Sequence, residues 1–198
     1  MIAAIILAAG RSSRFRAVTG QDKLLASCVG RDGVTRSVLD HVLVNLPPSV
    51  GRRLVVTAYD QAEIIRLGQT RGCQVLTLSS TGMADSIARA VAASSDAEGW
   101  LIVLGDMPFI LTSTIESVVA GLTVDTIRVP VHTEKYGHPV AFGRGCAQAL
   151  MELSGDGGAR PLFAAFQVTP VNVIDPGVLW DVDVPTGLQW EQVRVPTS

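Results

Sequence analysis

Neither sign of charge predominates in this chain: 16 Lys and Arg stand against 18 Asp and Glu in 198 residues, a formal net charge of -2. That balance excludes the basic footprint of a protein that binds nucleic acid or an anionic membrane. Cysteine is scarce, with Cys28, Cys73 and Cys146 far apart and outside any CxxC or Cys/His cluster. Neither a disulfide framework nor a zinc site follows, and three reduced thiols suit a cytoplasmic protein. The N-terminal apolar run, Ile2 to Ala9, falls far short of the roughly 18 residues of a membrane span and has no basic stretch before it, so it reads as a buried strand. Aromatic residues make up only 5%, and Trp100, Trp180 and Trp190 are scattered, which suits packing better than a stacking platform. Two phosphate-binding signatures are also missing, GxGxxG and GxxxxGK[ST].

What the chain does have is core material, at 47% hydrophobic residues and a mean hydropathy of +0.35, so disorder is excluded. Its length predicts one domain spanning residues 1–198. Short runs rich in Val, Ile and Leu read as buried strands: Ile2 to Leu7, Leu54 to Thr57, Gln74 to Leu78, Trp100 to Leu104, Thr126 to Val131 and Val171 to Ile174. Between them, helical spacing marks Ser37 to Asn45, Gln61 to Gln69, Met83 to Ala93, Thr112 to Ala120 and Gly145 to Leu153. His41 falls inside the first of these helices and reads as an ordinary packed histidine. Alternating strands and helices imply an α/β fold with a mostly parallel sheet covered on both faces. No repeat or linker divides the chain, and Arg194 to Ser198 is the one candidate tail.

Ligands of such sheets bind beyond the carboxyl ends of the strands, where loop amides collect. Three strand ends carry polar or glycine-bearing loops: Ala8-Ala9-Gly10-Arg11-Ser12-Ser13-Arg14, Ser79-Ser80-Thr81-Gly82 and Gly105-Asp106-Met107-Pro108. In the first, Gly10 opens the backbone while Arg11, Arg14 and the later Lys23 bring positive charge, a combination suited to a triphosphate. Asp106 follows a fully apolar strand and is a candidate either for capping the segment near Thr112 or for holding a hard divalent cation. Asp183, in a second acidic turn before Pro185, becomes its partner if the fold joins the two segments.

Taken together, six ordered motifs resemble the MobA-like nucleotidyltransferases that make the dinucleotide forms of the molybdenum cofactor, most closely the cytidylyltransferase branch. They are Leu7-Ala8-Ala9-Gly10 with Arg14 and Lys23; Gly82-Met83 with Ser86; Leu104-Gly105-Asp106-Met107-Pro108; Gly137-His138-Pro139; Gly155-Asp156 with Gly158-Ala159-Arg160; and Asp183 with Pro185. The resemblance implies a Rossmann-like, doubly wound sheet of the nucleotide-diphospho-sugar transferase type. It implies transfer of CMP from CTP to the phosphate of molybdopterin or the molybdenum cofactor, with pyrophosphate released and a molybdoenzyme as onward partner.

The same resemblance assigns roles. Leu7, Ala8, Ala9 and Gly10 would bind nucleotide, Arg14 and Lys23 its phosphates, and Gly82 and Ser86 its base and ribose. Arg14, Lys23 and Asp106 would be catalytic, Asp106 and Asp183 would hold Mg2+, and His138, Asp156 and Arg160 would face the acceptor. Alanine rather than glycine at position 9 suits the cytidylyl branch. Phe15-Arg16 stand where the family has Met-Gly, and Ala17 to Asp22 lengthen the loop; Asp85 adds a negative charge near the expected nucleotide site. Two alternatives stay open: a sugar-phosphate or isoprenoid-precursor nucleotidyltransferase, and a non-catalytic carrier of the cofactor.

Overall fold

A computed structural model describes residues 1–79 and 82–190; Ser80, Thr81 and the C-terminal residues 191–198, with the candidate tail, lie outside the described residues. β1 (Ile2–Leu7) is central to the sheet because its apolar run has no polar alternation: Ala3, Ala4, Ile5 and Ile6 are all fully buried, as a strand covered on both faces requires. It pairs in parallel with β4 (Val50–Ala58) on one side and β6 (Gly99–Leu104) on the other. β5 (Gln74–Leu78) extends the sheet beyond β4. Beyond β6, the order continues through β9 (Val140–Gly143), β7 (Thr126–His132) and β10 (Gln167–Asn172), with β8 (Lys135–Tyr136) hairpinned onto β7. β9 runs antiparallel between β6 and β7, and β10 is again parallel to β7. The mostly parallel sheet is thus present, with one reversed strand inserted beside β6.

Side-chain alternation along β1 divides the core in two. Ala4 and Ile6 pack with α2 (Val38–Val44) and α5 (Thr112–Val119), whereas Ala3 and Ile5 pack with α4 (Met83–Ala93) and α6 (Ala147–Met151). This is the two-faced, doubly wound arrangement. α3 (Ala62–Thr70) joins the first layer through Ile64. Ser37 caps α2, its Oγ accepting the Asp40 N–H at 3.3 Å.

Two local expectations need correction, and one ribbon was not foreseen. The last strand lies at Gln167–Asn172 and not at Val171 to Ile174, and Ile174 is 93% exposed. Pro170 falls inside β10, which is an edge strand, where a missing N–H is tolerated. The segment after Arg14 forms α1 (Ser13–Thr19) where a loop was expected, because Phe15 is drawn into the core at 1% exposure. A separate ribbon of β2 (Ser27–Val29) and β3 (Thr35–Ser37) was too short to show periodicity. Among the described residues no helix is long and apolar enough to cross a membrane.

Candidate active site

The carboxyl ends of β1 and β6 lie side by side, and the loops leaving them are locked together. Gly105 N–H donates to Leu7 O at 3.0 Å, and a Cβ on Gly105 would stand 2.8 Å from that same oxygen, so only glycine fits. After β1, Ala8 and Ala9 are buried while Gly10 is exposed with open space where a side chain would be. Ser12 takes the left-handed conformation, φ 52°, and its Oγ donates to Asp22 Oδ1 at 3.0 Å. Asp22 also accepts from Arg16 Nη2 at 2.7 Å and from Leu24 N–H at 2.9 Å. The lengthened stretch therefore folds back on one buried carboxylate, and Lys23 is returned to the strand ends. Asp22 was not singled out in the sequence; its place immediately before Lys23 was the available signal.

Lys23 is the centre of the arrangement. Its Nζ donates to Asp106 Oδ2 at 2.5 Å and to Asp183 Oδ1 at 2.8 Å, while Arg14 Nη1 donates to Asp183 Oδ2 at 3.2 Å. Sequence separations of 83 and 160 residues are closed here, helped by the Val182 N–H donating to Asp106 O at 2.9 Å. Burial alone would lower the Lys23 pKa, but Asp106 and Asp183 outweigh it and raise the ammonium above its ordinary value. The hydrogen bond from Lys23, with the Arg14 charge behind it, holds Asp183 below the usual carboxylate range against some desolvation. Asp106 does not cap the following helix. Asp175 does so, its Oδ2 accepting the Leu111 N–H at 3.0 Å and the Thr114 hydroxyl at 2.7 Å.

Two carboxylates converging on a single ammonium present a donor set that a hard divalent cation can take, with phosphate oxygens and water completing its shell. Among the described residues no group of three or more His, Cys, Asp and Glu could hold a metal by itself. The set fits Mg2+, which binds through one or two carboxylates together with substrate phosphates.

At the start of α4 the expected nucleotide residues have a different emphasis. Ser86 is 3% exposed and its hydroxyl donates to Gly82 O at 2.9 Å, so it faces its own helix. A Cβ on Gly82 would lie 2.8 Å from Gly155 O, which also accepts the Ala84 N–H at 3.0 Å. Asp85 Oδ1 accepts the Gly155 N–H at 3.3 Å. Asp85 and Gly82 thus seat the Gly155 loop on α4.

Beyond β6 lies a cavity of about 760 Å3 whose wall includes His138 and Arg160 but not Asp156, which is exposed. The His138-Pro139 bond is cis, and His138 N–H donates to Val178 O at 2.9 Å. Among the described residues its buried Nδ1 has no hydrogen-bond partner. Burial lowers the imidazole pKa, opposed by the Asp106 charge.

The segment carrying Asp183 is held by groups that sequence reasoning missed. Arg31 Nη1 donates to Asp175 Oδ1 at 2.5 Å and to Phe109 O at 3.1 Å, and its guanidinium lies 4.7 Å from the Trp190 ring. Trp190 packs on Phe109 and Trp180 at centroid distances of 4.9 and 5.2 Å. Trp180 and Trp190 are therefore not scattered, although packing is what they do. The signal was Asp175-Pro176-Gly177, a helix-start pattern with proline at the first position. His41 is the packed residue expected, buried and donating from Nε2 to Cys28 O at 3.1 Å.

The sequence matches the MobA-like NTP transferase domain over residues 4–171. No curated protein matches it. Among solved structures, a nucleotidyl transferase from Methanothermobacter thermautotrophicus superposes with a TM-score of 0.78 at 22% identity, covering 94% of each chain. A homologue of Mycobacterium tuberculosis Rv0371c from Mycobacterium sp. strain JC1 gives 0.76 at 27% identity, covering 94% of this chain and 92% of that one. The manganese complex of Rv0371c itself gives 0.70 at 23% identity, covering 94% and 95%.

Proposed function

The chain belongs to the family of MobA-like NTP transferase domains and is a nucleotidyltransferase, and from that premise we propose that it transfers CMP from CTP to the terminal phosphate of molybdopterin or the molybdenum cofactor. The observation that carries this reading is the meeting of Lys23, Asp106, Asp183 and Arg14 directly beyond the first loop. An oxygen of the acceptor phosphate attacks the α-phosphorus of CTP in line, the bond from that phosphorus to the bridging oxygen breaks, and pyrophosphate leaves. Such a transfer needs positioning and charge neutralisation rather than a protein nucleophile.

Each residue has a task within it. The Leu7 to Gly10 backbone lies under the nucleotide, and Gly10 leaves room for its close approach. Arg14 and Lys23 neutralise phosphate charge; Lys23 has three N–H donors, of which two serve carboxylates here, leaving one for a phosphate oxygen. Asp106 and Asp183 would hold Mg2+, which supplies Lewis-acid polarisation of a phosphoryl oxygen when bound. Rv0371c with manganese shares this fold, and the assignment of Mg2+ rests on the two-carboxylate donor set. His138 and Arg160 serve the acceptor from the cavity wall, with Asp156 outside it. A molybdoenzyme is the onward partner in this reading.

CTP is the proposed nucleotide because Ala9, 7% exposed, places a methyl group beside the first loop where a purine needs more room. One such packing difference is worth about 1–3 kcal/mol, roughly 10- to 200-fold in specificity. Pyrophosphate release with purified molybdopterin, at equal CTP and GTP, tests the whole reading. CTP should win, and Ala9→Gly should narrow the preference. A GTP preference that persists in Ala9→Gly overturns the base assignment, and no release with any nucleotide overturns the transfer.

A further inference from the structure

Asp22 is a buried carboxylate that the proposed transfer does not use, and its partners lie on both arms of the segment between β1 and β2. Its side chain is 5% exposed. Ser12 Oγ and the Leu24 N–H both donate to Oδ1, at 3.0 and 2.9 Å, and Arg16 Nη2 donates to Oδ2 at 2.7 Å. Its backbone oxygen accepts the Leu25 and Ala26 N–H groups at 3.1 Å each, closing the turn that carries Lys23. Burying a carboxylate is costly unless its oxygens are matched, and here the matching groups come from before and after it in the chain.

What Asp22 joins is the pair of cations that serve the phosphates. Arg14 stands in α1, a helix of seven residues whose N-cap makes no side-chain hydrogen bond to it and whose one buried residue is Phe15. So short a helix is marginal alone. Ser12, at the entry of α1, and Arg16, within it, are both fastened to Asp22, with Arg14 between them. Lys23 is the next residue along the chain. From these two arms Arg14 and Lys23 reach the same carboxylate, Asp183, at 3.2 and 2.8 Å. The other cations of the segment are committed elsewhere, Arg16 to Asp22 and Arg11 to Asp60.

Accepting the nucleotidyl-transfer reading, we propose that Asp22 is a positioning residue: by tying the entry of α1 to the turn at Lys23, it sets Arg14 and Lys23 at the separation from which both meet one triphosphate. Arg16 supplies its counter-charge. A triphosphate gains most from two cations that are in place before it arrives, since ordering them on binding costs side-chain and loop entropy.

The test uses the full chain, whose two lysines are Lys23 and Lys135. In a pulse of an amine-acetylating reagent read by mass spectrometry, Lys23, 13% exposed on its side chain, should react about tenfold more slowly than the exposed Lys135. Asp22→Ala should bring the Lys23 rate to within about threefold of that of Lys135 and leave Lys135 itself unchanged, a selectivity that loss of the whole fold would not show. In calorimetry with inorganic tripolyphosphate and Mg2+, binding should weaken about tenfold in Asp22→Ala. Asp22→Asn, whose amide oxygen still accepts from Ser12 and Leu24, should recover most of it. If Asp22→Ala does not fold, Ser12→Ala repeats both measurements by removing one donor. An unchanged Lys23 rate, or an unchanged tripolyphosphate affinity, overturns the proposal. Failure of the wild-type chain to bind tripolyphosphate counts against nucleotidyl transfer instead, and the lysine rates then decide whether Asp22 holds Lys23 in place.

Discussion

Asp106 and the three cysteines show how burial and charge decide what single residues can do. Asp106 is surrounded by a fixed frame, with Met107 and Phe109 buried at 4% and 0% exposure, and an amide has nearly the shape of its carboxylate. Asp106→Asn should therefore shift the melting temperature by no more than about 2 °C, as Lys23 keeps its pair with Asp183. Turnover at saturating Mg2+ should fall about 100-fold, because half of the charged donor set is gone. Near-normal turnover in that variant would remove Asp106 from the metal site. The cysteines are the opposite case. Burial pushes the Cys28 and Cys146 thiols up to about 11 and raises Cys73 as well. Thiolate is the reactive form, so at pH 8 iodoacetamide should label none of them quickly until denaturant is added. Rapid labelling of the folded chain would contradict the buried, protonated assignment.

At the scale of elements, the segment from Asp175 to Trp190 works as a strap across the strand ends. Asp175, 2% exposed on its side chain, joins the start of α5 to Arg31 on the β2–β3 ribbon. Trp180 and Trp190 clamp Phe109, and Trp180 Nε1–H closes the turn on Gly187 O at 3.0 Å. Between these anchors Val182 bonds the Asp106 backbone, and Asp183 comes to rest on Lys23. Arg31→Ala leaves the Asp175 carboxylate buried without its ion-pair partner. Arg31 keeps 26% side-chain exposure, so the cost should be about 2 kcal/mol, below that of a fully buried pair. Urea denaturation should show this as an earlier midpoint, with Arg31→Lys recovering part of it by restoring the charge without the planar contact on Trp190. If the midpoint does not move, the strap does not depend on this pair. Mn2+ titration of the same variant should also weaken, because Asp183 loses its anchor.

For the whole molecule, one sheet with a core on each face predicts one cooperative unit, and we propose that residues 1–198 unfold together. A single calorimetric transition checks this; two separated transitions would divide the chain. CTP with Mg2+ at 100 times its dissociation constant should stabilise by about 2.7 kcal/mol. In a chain of this size that is a rise of roughly 5–10 °C in melting temperature. Chelation by EDTA should remove most of the rise, since without the cation the Asp106 and Asp183 carboxylates repel the triphosphate instead of being bridged to it. A full shift that survives EDTA would move nucleotide binding away from these carboxylates.

How much of this was legible without a structure depends on the range over which each interaction acts. Short runs rich in Val, Ile and Leu marked β1, β5 and β6, and helical spacing marked α4 at its observed limits, because pattern and burial are local properties of strands and helices. The motifs supplied the first loop, Lys23, Asp106 and Asp183 as candidates, but their convergence on one ammonium did not lie in any spacing. β10 starts before the apolar run at Val171 to Ile174 because its limits are set by parallel pairing with β7 at the sheet edge, and edge position is a property of the sheet. Phe15 made a helix of an expected loop because the core had a place for its ring. The strap through Arg31, Asp175 and the two tryptophans joins segments up to 144 residues apart, and pairings at that distance carry no local signature. Composition and pattern determined which chemistry the chain could hold; packing at the strand ends decided which side chains meet to perform it.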